Sequence, residues 1–96
     1  MISTETDALS TAKEIAEFLK TEYGATRVVL FGSLADGFFK DRSDIDIYFE
    51  GVPSNRIFAA VGHCMEIFRK ANIDLQLASF CEETFRQRVL REGITL

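Results

Sequence analysis

Apolar positions along this chain recur at two different spacings, and the switch between them marks out its elements. Leu9, Ala12, Ile15, Ala16, Leu19 and Tyr23 follow the three-and-four rhythm of one helix face, with Asp7, Lys13, Glu14 and Glu17 off that stripe. Gly24 is placed to close this helix, because glycine enters the left-handed conformation without a Cβ penalty. Arg27-Val28-Val29-Leu30-Phe31 is short, β-branched and followed by glycine, so it predicts a buried strand. Gly32-Ser33-Leu34-Ala35-Asp36-Gly37 breaks that strand and leaves room for one helical turn at most. After a polar connector, Asp44-Ile45-Asp46-Ile47-Tyr48-Phe49-Glu50 alternates strictly. Ile45, Ile47 and Phe49 fall on one face, and Asp44, Asp46, Tyr48 and Glu50 on the other.

The second half repeats these signals. Ser54 is a candidate N-cap for a helix whose apolar stripe is Phe58, Val61, Met65 and Phe68, closed by Asn72. Ile73-Asp74-Leu75-Gln76-Leu77 alternates as a third strand. Ser79-Phe80-Cys81-Glu82 fits a capping box opening a last helix, with Phe85 and Val89 inward and Gly93 at its end. The predicted class is α/β, a small mixed sheet of three or four strands flanked by helices, forming a single domain over residues 1–96.

Composition narrows the function classes. A chain of 96 residues buries only about 60–65% of its unfolded surface, and its nine Phe and 47% hydrophobic content answer that need. No apolar run approaches the roughly 20 residues that span a bilayer, and the first residues lack the basic start and apolar stretch of a signal peptide. A cytoplasmic protein with no membrane partner is expected. Cys64 and Cys81 make no metal knuckle and read as small buried thiols in helices, with Cys81 near enough a helix start to be acidified. The lone His63 reads as structural. Net charge is −4 and the eleven basic residues are scattered, with Arg86, Arg88 and Arg91 the densest group. Duplex nucleic acid is therefore not an expected partner. Binding one nucleotide through a divalent ion stays open, because the metal supplies the positive charge.

Candidate chemistry gathers at Gly32, Ser33, Asp44, Asp46 and Asp74. Two residues apart on a strand, Asp44 and Asp46 project from one face with Cα atoms roughly 6.6 Å apart. Carboxylates held together repel and raise one another's pKa, and a divalent cation relieves this; Mg²⁺ favours one or two carboxylates plus substrate phosphates. Alone, such a pair is more often the solvated acidic face of an edge strand. A glycine at Gly32 permits close approach of a phosphate, and Ser33 adds a hydroxyl, although Gly-Ser alone is also an ordinary turn. Asp74 interrupts an apolar strand, where an unpaired carboxylate is costly unless it lies at the surface. Beside a metal pair it becomes a third ligand and a candidate base. Tyr48, on the aspartate face, either lines a nucleotide pocket or packs. Phe38-Phe39 either folds back on the domain or offers a docking surface.

Leu30-Phe31-Gly32-Ser33, then ten residues, then Asp44-Ile45-Asp46-Ile47, resembles the G-S-x10-D-x-D signature of the DNA polymerase β-like nucleotidyltransferases. The small size, the later strand Asp74 and the ending Phe85-Arg86-Gln87-Arg88-Val89-Leu90-Arg91-Glu92-Gly93 resemble the minimal (MNT) branch, over about residues 10–96. The resemblance implies that Gly32 and Ser33 hold triphosphate oxygens of ATP, and that Asp44, Asp46 and Asp74 bind Mg²⁺, as a pair of ions. It further implies that Asp74 assists deprotonation of an acceptor hydroxyl attacking the α-phosphate. Minimal members are similar to antitoxins of MNT–HEPN pairs, which AMPylate a tyrosine on the HEPN toxin, so a HEPN-type partner in a hetero-oligomer is implied. One departure is Asp36, acidic where many relatives are basic; Lys40, Arg42 and the C-terminal arginines are the candidates to offset it. The runner-up is a catalytically weak nucleotide-binding module that neutralises its partner by steric masking. Transfer to a small molecule is not expected, since a chain this short offers no second domain to hold one.

Overall fold

The computed structural model describes residues 5–38 and 44–96. In chain order it contains α1 (Glu5–Tyr23), β1 (Arg27–Phe31), α2 (Gly32–Asp36), β2 (Ile45–Glu50), α3 (Ile57–Ile67), β3 (Ile73–Leu77), α4 (Glu83–Glu92) and β4 (Ile94–Thr95). The four strands form one mixed sheet in the order β3-β2-β1-β4. β1 runs antiparallel to β2 and β4, while β2 and β3 are parallel. The parallel pair needs a crossover, and α3 supplies it.

One sheet face carries Val28, Leu30, Ile45, Ile47 and Phe49, buried against Ala8, Ala12, Ile15 and Leu19 of α1 and Ala60 and Cys64 of α3. The opposite face carries Val29, Tyr48 and Phe31, covered by Val89 and Phe85 of α4. Phe85 meets Phe31 edge-on, with ring centroids 5.6 Å apart. Alternation on β1 and β2 thus sorts side chains between two helical layers. The α1 stripe, its left-handed closure at Gly24 (φ 76°) and the inward Phe85 and Val89 stand as expected.

Several local expectations need correction. The stripe assigned to α3 is rotated in part: Val61 and Phe68 pack against the core as expected, but Phe58 is 87% exposed and Met65 faces solvent, whereas Ala60 and Cys64 are fully buried. Small side chains let α3 approach the sheet, so bulk was the wrong guide to its inner face. Ser54 opens a 3-10 turn (Ser54–Arg56) rather than capping α3, which receives no side-chain cap. Ser79 likewise lies in a 3-10 turn (Ala78–Phe80), and α4 begins only at Glu83 without a side-chain cap, so the capping box is not formed. α3 ends at Ile67 with Phe68 as its C-cap, short of Asn72. Cys81 sits between the 3-10 turn and α4, and burial raises its thiol pKa instead of lowering it. Cys64 is a buried thiol pushed up to about 11 for the same reason. His63 is structural as read: its Nδ1 lies 3.0 Å from the Tyr23 hydroxyl, and Phe18 packs on its ring.

Among the described residues no helix is long and apolar enough to cross a membrane. The rotated α3 makes a direct prediction. Ile15→Ala should cost about 2–5 kcal/mol in urea unfolding, while Phe58→Ser should stay within about 0.5 kcal/mol of the parent, as surface changes do.

Candidate active site

The strand register assembles the site. Phe31 of β1 lies opposite Asp46 of β2, and Asp46 lies beside Asp74 of β3, so one row across the sheet joins the end of β1 to both aspartates. Gly32, the next residue, turns the chain out of β1 with φ 76°, a conformation side chains with a Cβ rarely adopt. The space where its Cβ would stand is taken by the Asp46 carboxylate, whose Oδ2 and Cγ a methyl group would strike. Gly32 is therefore required twice, for its backbone angle and for the carboxylate packed on it. Ser33 follows in the first turn of α2, partly buried.

Asp46 carries the site's electrostatic signature. Its pKa is pushed up to about 6, first by burial, then by the charges of Asp74 and Asp44, and by a hydrogen bond with Asp74 that favours the protonated form. The structure thus brings Asp46 and Asp74 into contact and puts Asp44 within electrostatic range. Asp44 itself is exposed and lies just before β2 rather than within it. Gln76, two residues beyond Asp74 on the same strand face, donates to Asp74 Oδ1 at 3.1 Å. Sequence reasoning overlooked Gln76, although the two-residue period of a strand places it there.

Tyr48 packs; it does not line a pocket. It is fully buried beneath α4. Its hydroxyl donates to Glu50 Oε2 at 2.6 Å and accepts from Arg86 Nε at 3.1 Å. Burial and the Glu50 carboxylate push its pKa up to about 12. Arg86 also approaches Glu50 at 3.7 Å, so this arginine fastens α4 to β2. Arg88, one helical turn from the end of α4, instead lines a recess of about 170 Å³ with Phe31, Gly32, Asp36 and Glu92. Of the basic residues considered as offsets to Asp36, Arg88 shares its recess, and Arg86 is committed elsewhere. Lys40 and Arg42 lie outside the described residues. Phe38 is 74% exposed and not folded back, and its neighbour Phe39 lies outside the described residues.

The donor chemistry suits a hard divalent cation, since every candidate ligand is a carboxylate oxygen. Mutual repulsion at Asp46 is the strain such an ion relieves. Among the described residues no three His, Cys, Asp or Glu side chains are already gathered at metal-binding geometry.

The fold has close counterparts. A structure described as a minimal nucleotidyltransferase superposes with a TM-score of 0.80 at 22% identity, covering 99% of this chain and 97% of that one. A crystal structure of a toxin–antitoxin with AMP-PNP gives 0.69 at 19% identity, covering 88% and 70%. A protein from Sulfolobus solfataricus, described as a nucleotidyltransferase, gives 0.61 at 29% identity, covering 95% and 80%. Among proteins of curated function there is no significant match. The model of the family described as polymerase beta, nucleotidyltransferase matches residues 13–96, which include Gly32, Ser33 and all three aspartates. The chain belongs to the polymerase β-like nucleotidyltransferase family, and its mixed four-stranded sheet is that family's fold.

Proposed function

We propose that this protein is a Mg²⁺-dependent nucleotidyltransferase that moves AMP from ATP to a hydroxyl on a protein acceptor, serving as antitoxin to a HEPN-type toxin whose tyrosine it modifies. The observation that carries the transferase reading is the Asp46–Asp74 contact beside Gly32, with the Asp46 pKa raised to about 6. The antitoxin reading is supported by the likeness to the toxin–antitoxin structure with AMP-PNP.

In this reading Asp44, Asp46 and Asp74 hold the metal, which when bound neutralises charge on the phosphate oxygens. Gly32 and Ser33 receive the triphosphate, the glycine by leaving its backbone bare and the serine through its hydroxyl. Asp74, fixed by Gln76, faces the acceptor and takes the proton of its attacking hydroxyl. The hydroxyl oxygen bonds to the α-phosphorus as the bond to pyrophosphate breaks. Alignment and charge neutralisation carry most of the rate in such transfers.

One observation favours the steric-masking alternative. Among the described residues, Asp36 and Glu92 share the recess beside Gly32 with a single cation, Arg88, which is itself paired to Glu92 at 3.6 Å. This balance disfavours a triphosphate entering without its metal. Incubation of the chain with labelled ATP, Mg²⁺ and a HEPN-type protein encoded beside it separates the readings. Label on a partner tyrosine, abolished by Asp44→Asn, is the expected result. Neutralisation of the partner that survives Asp44→Asn, with no label transferred, would establish masking instead.

A further inference from the structure

α4 crosses the sheet face that carries Asp46 and Asp74, because it covers Tyr48, which shares that face with Asp46. Its last turns stand beside the point where the chain leaves β1. Val89 packs with Val29 and Tyr48. Gly93, just past the helix, lies so close to β1 that a Cβ there would strike the Val29 side chain and the Leu30 carbonyl oxygen. The end of α4 is thereby fixed to the two residues that precede Phe31 and Gly32. Arg88 and Glu92, one turn apart on this helix, close the recess of about 170 Å³ whose other walls include Phe31, Gly32 and Asp36. Gly32 thus has two charged neighbours. The Asp46 carboxylate stands where its Cβ would be, and Arg88 shares the recess beside it.

Arg88 is also held more loosely than the other arginines near the sheet. Arg86 donates to the Tyr48 hydroxyl and lies against Glu50, where Arg27 also pairs. Arg56 lies over the Tyr23 ring. Among the described residues Arg88 meets Glu92 alone, at 3.6 Å, which is too long for a hydrogen bond. Both side chains of this pair are more than half exposed, and an exposed pair of this kind adds little and is readily exchanged. The donors of the Arg88 guanidinium therefore remain available. Its planar fork matches two phosphate oxygens at once, a stronger contact than the one it has. The recess sets a condition on that exchange. One cation stands against two carboxylates, Asp36 and Glu92, so a bare polyanion is opposed, and one neutralised by a divalent cation is not.

We propose that Arg88 is the contact for the terminal phosphates of the nucleotide. Its guanidinium leaves Glu92 for phosphate oxygens once a magnesium-bound chain lies on Gly32 and Ser33, and Glu92 is the competitor that restrains it. The assignment rests on the reading that Gly32 and Ser33 receive a triphosphate. Calorimetric titration with inorganic tripolyphosphate in excess Mg²⁺ reads the contact without nucleoside or acceptor. Arg88→Gln should weaken binding about 10–100-fold, the range for losing a hydrogen bond to a charged group. Glu92→Gln should tighten it about two- to fivefold. Arg91→Gln removes the same charge from the same helix outside the recess, and should bind as the parent does. AMP should bind all four proteins alike. The three side chains are exposed, so the variants should melt with the parent. No binding by the parent, binding unaffected by Arg88→Gln, or an equal loss in Arg91→Gln would overturn the proposal. So would a loss for AMP as large as that for tripolyphosphate, which would put the guanidinium at the α-phosphate. Labelled ATP with a HEPN-type acceptor reads the other question separately. Label transferred by Arg88→Gln with the parent's KM for ATP would keep the transferase reading and remove Arg88 from it. Arg88-dependent tripolyphosphate binding with no label transferred would keep the contact and count against the transferase reading.

Discussion

Asp46→Asn should do two opposite things: lower nucleotide transfer by about 10²–10³-fold and make the metal-free protein more stable at neutral pH. In the proposed reaction the first effect follows from removing a charge that would hold the metal against the transferring phosphate, a loss comparable to deleting one preorganised transition-state contact. The second follows from linkage. Asp46 in the folded chain has a pKa near 6, against about 3.9 for an unfolded aspartate. A carboxylate raised on folding binds its proton more tightly in the native state. Its favourable contribution is therefore complete below about pH 4 and is lost as the pH climbs through 6. Two full pKa units correspond to nearly 3 kcal/mol by linkage. Asp46 is only partly buried, so solvent screening reduces the expected gain of Asp46→Asn at pH 7.5 to about 1 kcal/mol. At pH 4 the variant and parent should unfold at nearly the same urea concentration. Magnesium should invert the order, since a ligand present at ten times its Kd adds about 1.4 kcal/mol to the protein that binds it and nothing to one that does not. An Asp46→Asn protein that is less stable than its parent at neutral pH in EDTA would contradict the crowded-carboxylate account.

The position of Asp46 was legible in the sequence, and its environment was not. The two-residue period of β2 separates Ile45, Ile47 and Phe49 from Asp46, Tyr48 and Glu50 without any tertiary information. The spacing from Gly32-Ser33 to the aspartates carries the family. What spacing leaves out is register. That Phe31 lies opposite Asp46 and Asp46 beside Asp74 depends on how three strands pair, and only that pairing turns three separate aspartates into one electrostatic unit. The same reason explains why Tyr48 was ambiguous. Its face is polar by composition, but α4 closes over it and fastens it through Arg86.

α3 shows the reverse failure. Ile57-Phe58-Ala59-Ala60-Val61 is apolar in every position, so the period that oriented α1 has no polar residues to define it. Packing then decides by size. Ala60 and Cys64 admit the helix closely to the sheet, and Phe58 is left outside. β4 has only Ile94 and Thr95, and its existence depends on Leu30 and Val29 offering a free edge. Nothing local in two residues encodes that. Helices end where backbone groups find partners, which is why Ser54 and Ser79, good caps by type, lie in 3-10 turns ahead of α3 and α4 instead.

Gly32→Ala should be the most damaging single methyl group added to this chain. Two costs combine at this position and can be separated by a control. Gly24 has the same backbone angle, φ 76°, but nothing within 4 Å of where its Cβ would lie. Gly24→Ala therefore reports the left-handed penalty alone, about 1–2 kcal/mol, with transfer activity unchanged. Gly32→Ala carries that penalty and also drives its methyl into Asp46 Oδ2 and Cγ. Asp46 cannot yield without leaving Asp74, because its two ends are fixed by the β1–β2 and β2–β3 ladders. The carboxylate must rotate away, so the expected result is an additional loss of about 1–3 kcal/mol, as for overpacking, and about 10²-fold lower transfer from misplacement of a metal-holding group. In Gly32→Ala the stabilisation by magnesium expected of the parent should also shrink, while in Gly24→Ala it should remain complete. Combining Gly32→Ala with Asp46→Asn should cost much less activity than the sum of the two losses, since both displace the same carboxylate, and the loss beyond Asp46→Asn alone measures what the bare backbone of Gly32 gives the phosphates. Fully additive losses would mean instead that the contact of Gly32 with Asp46 is incidental.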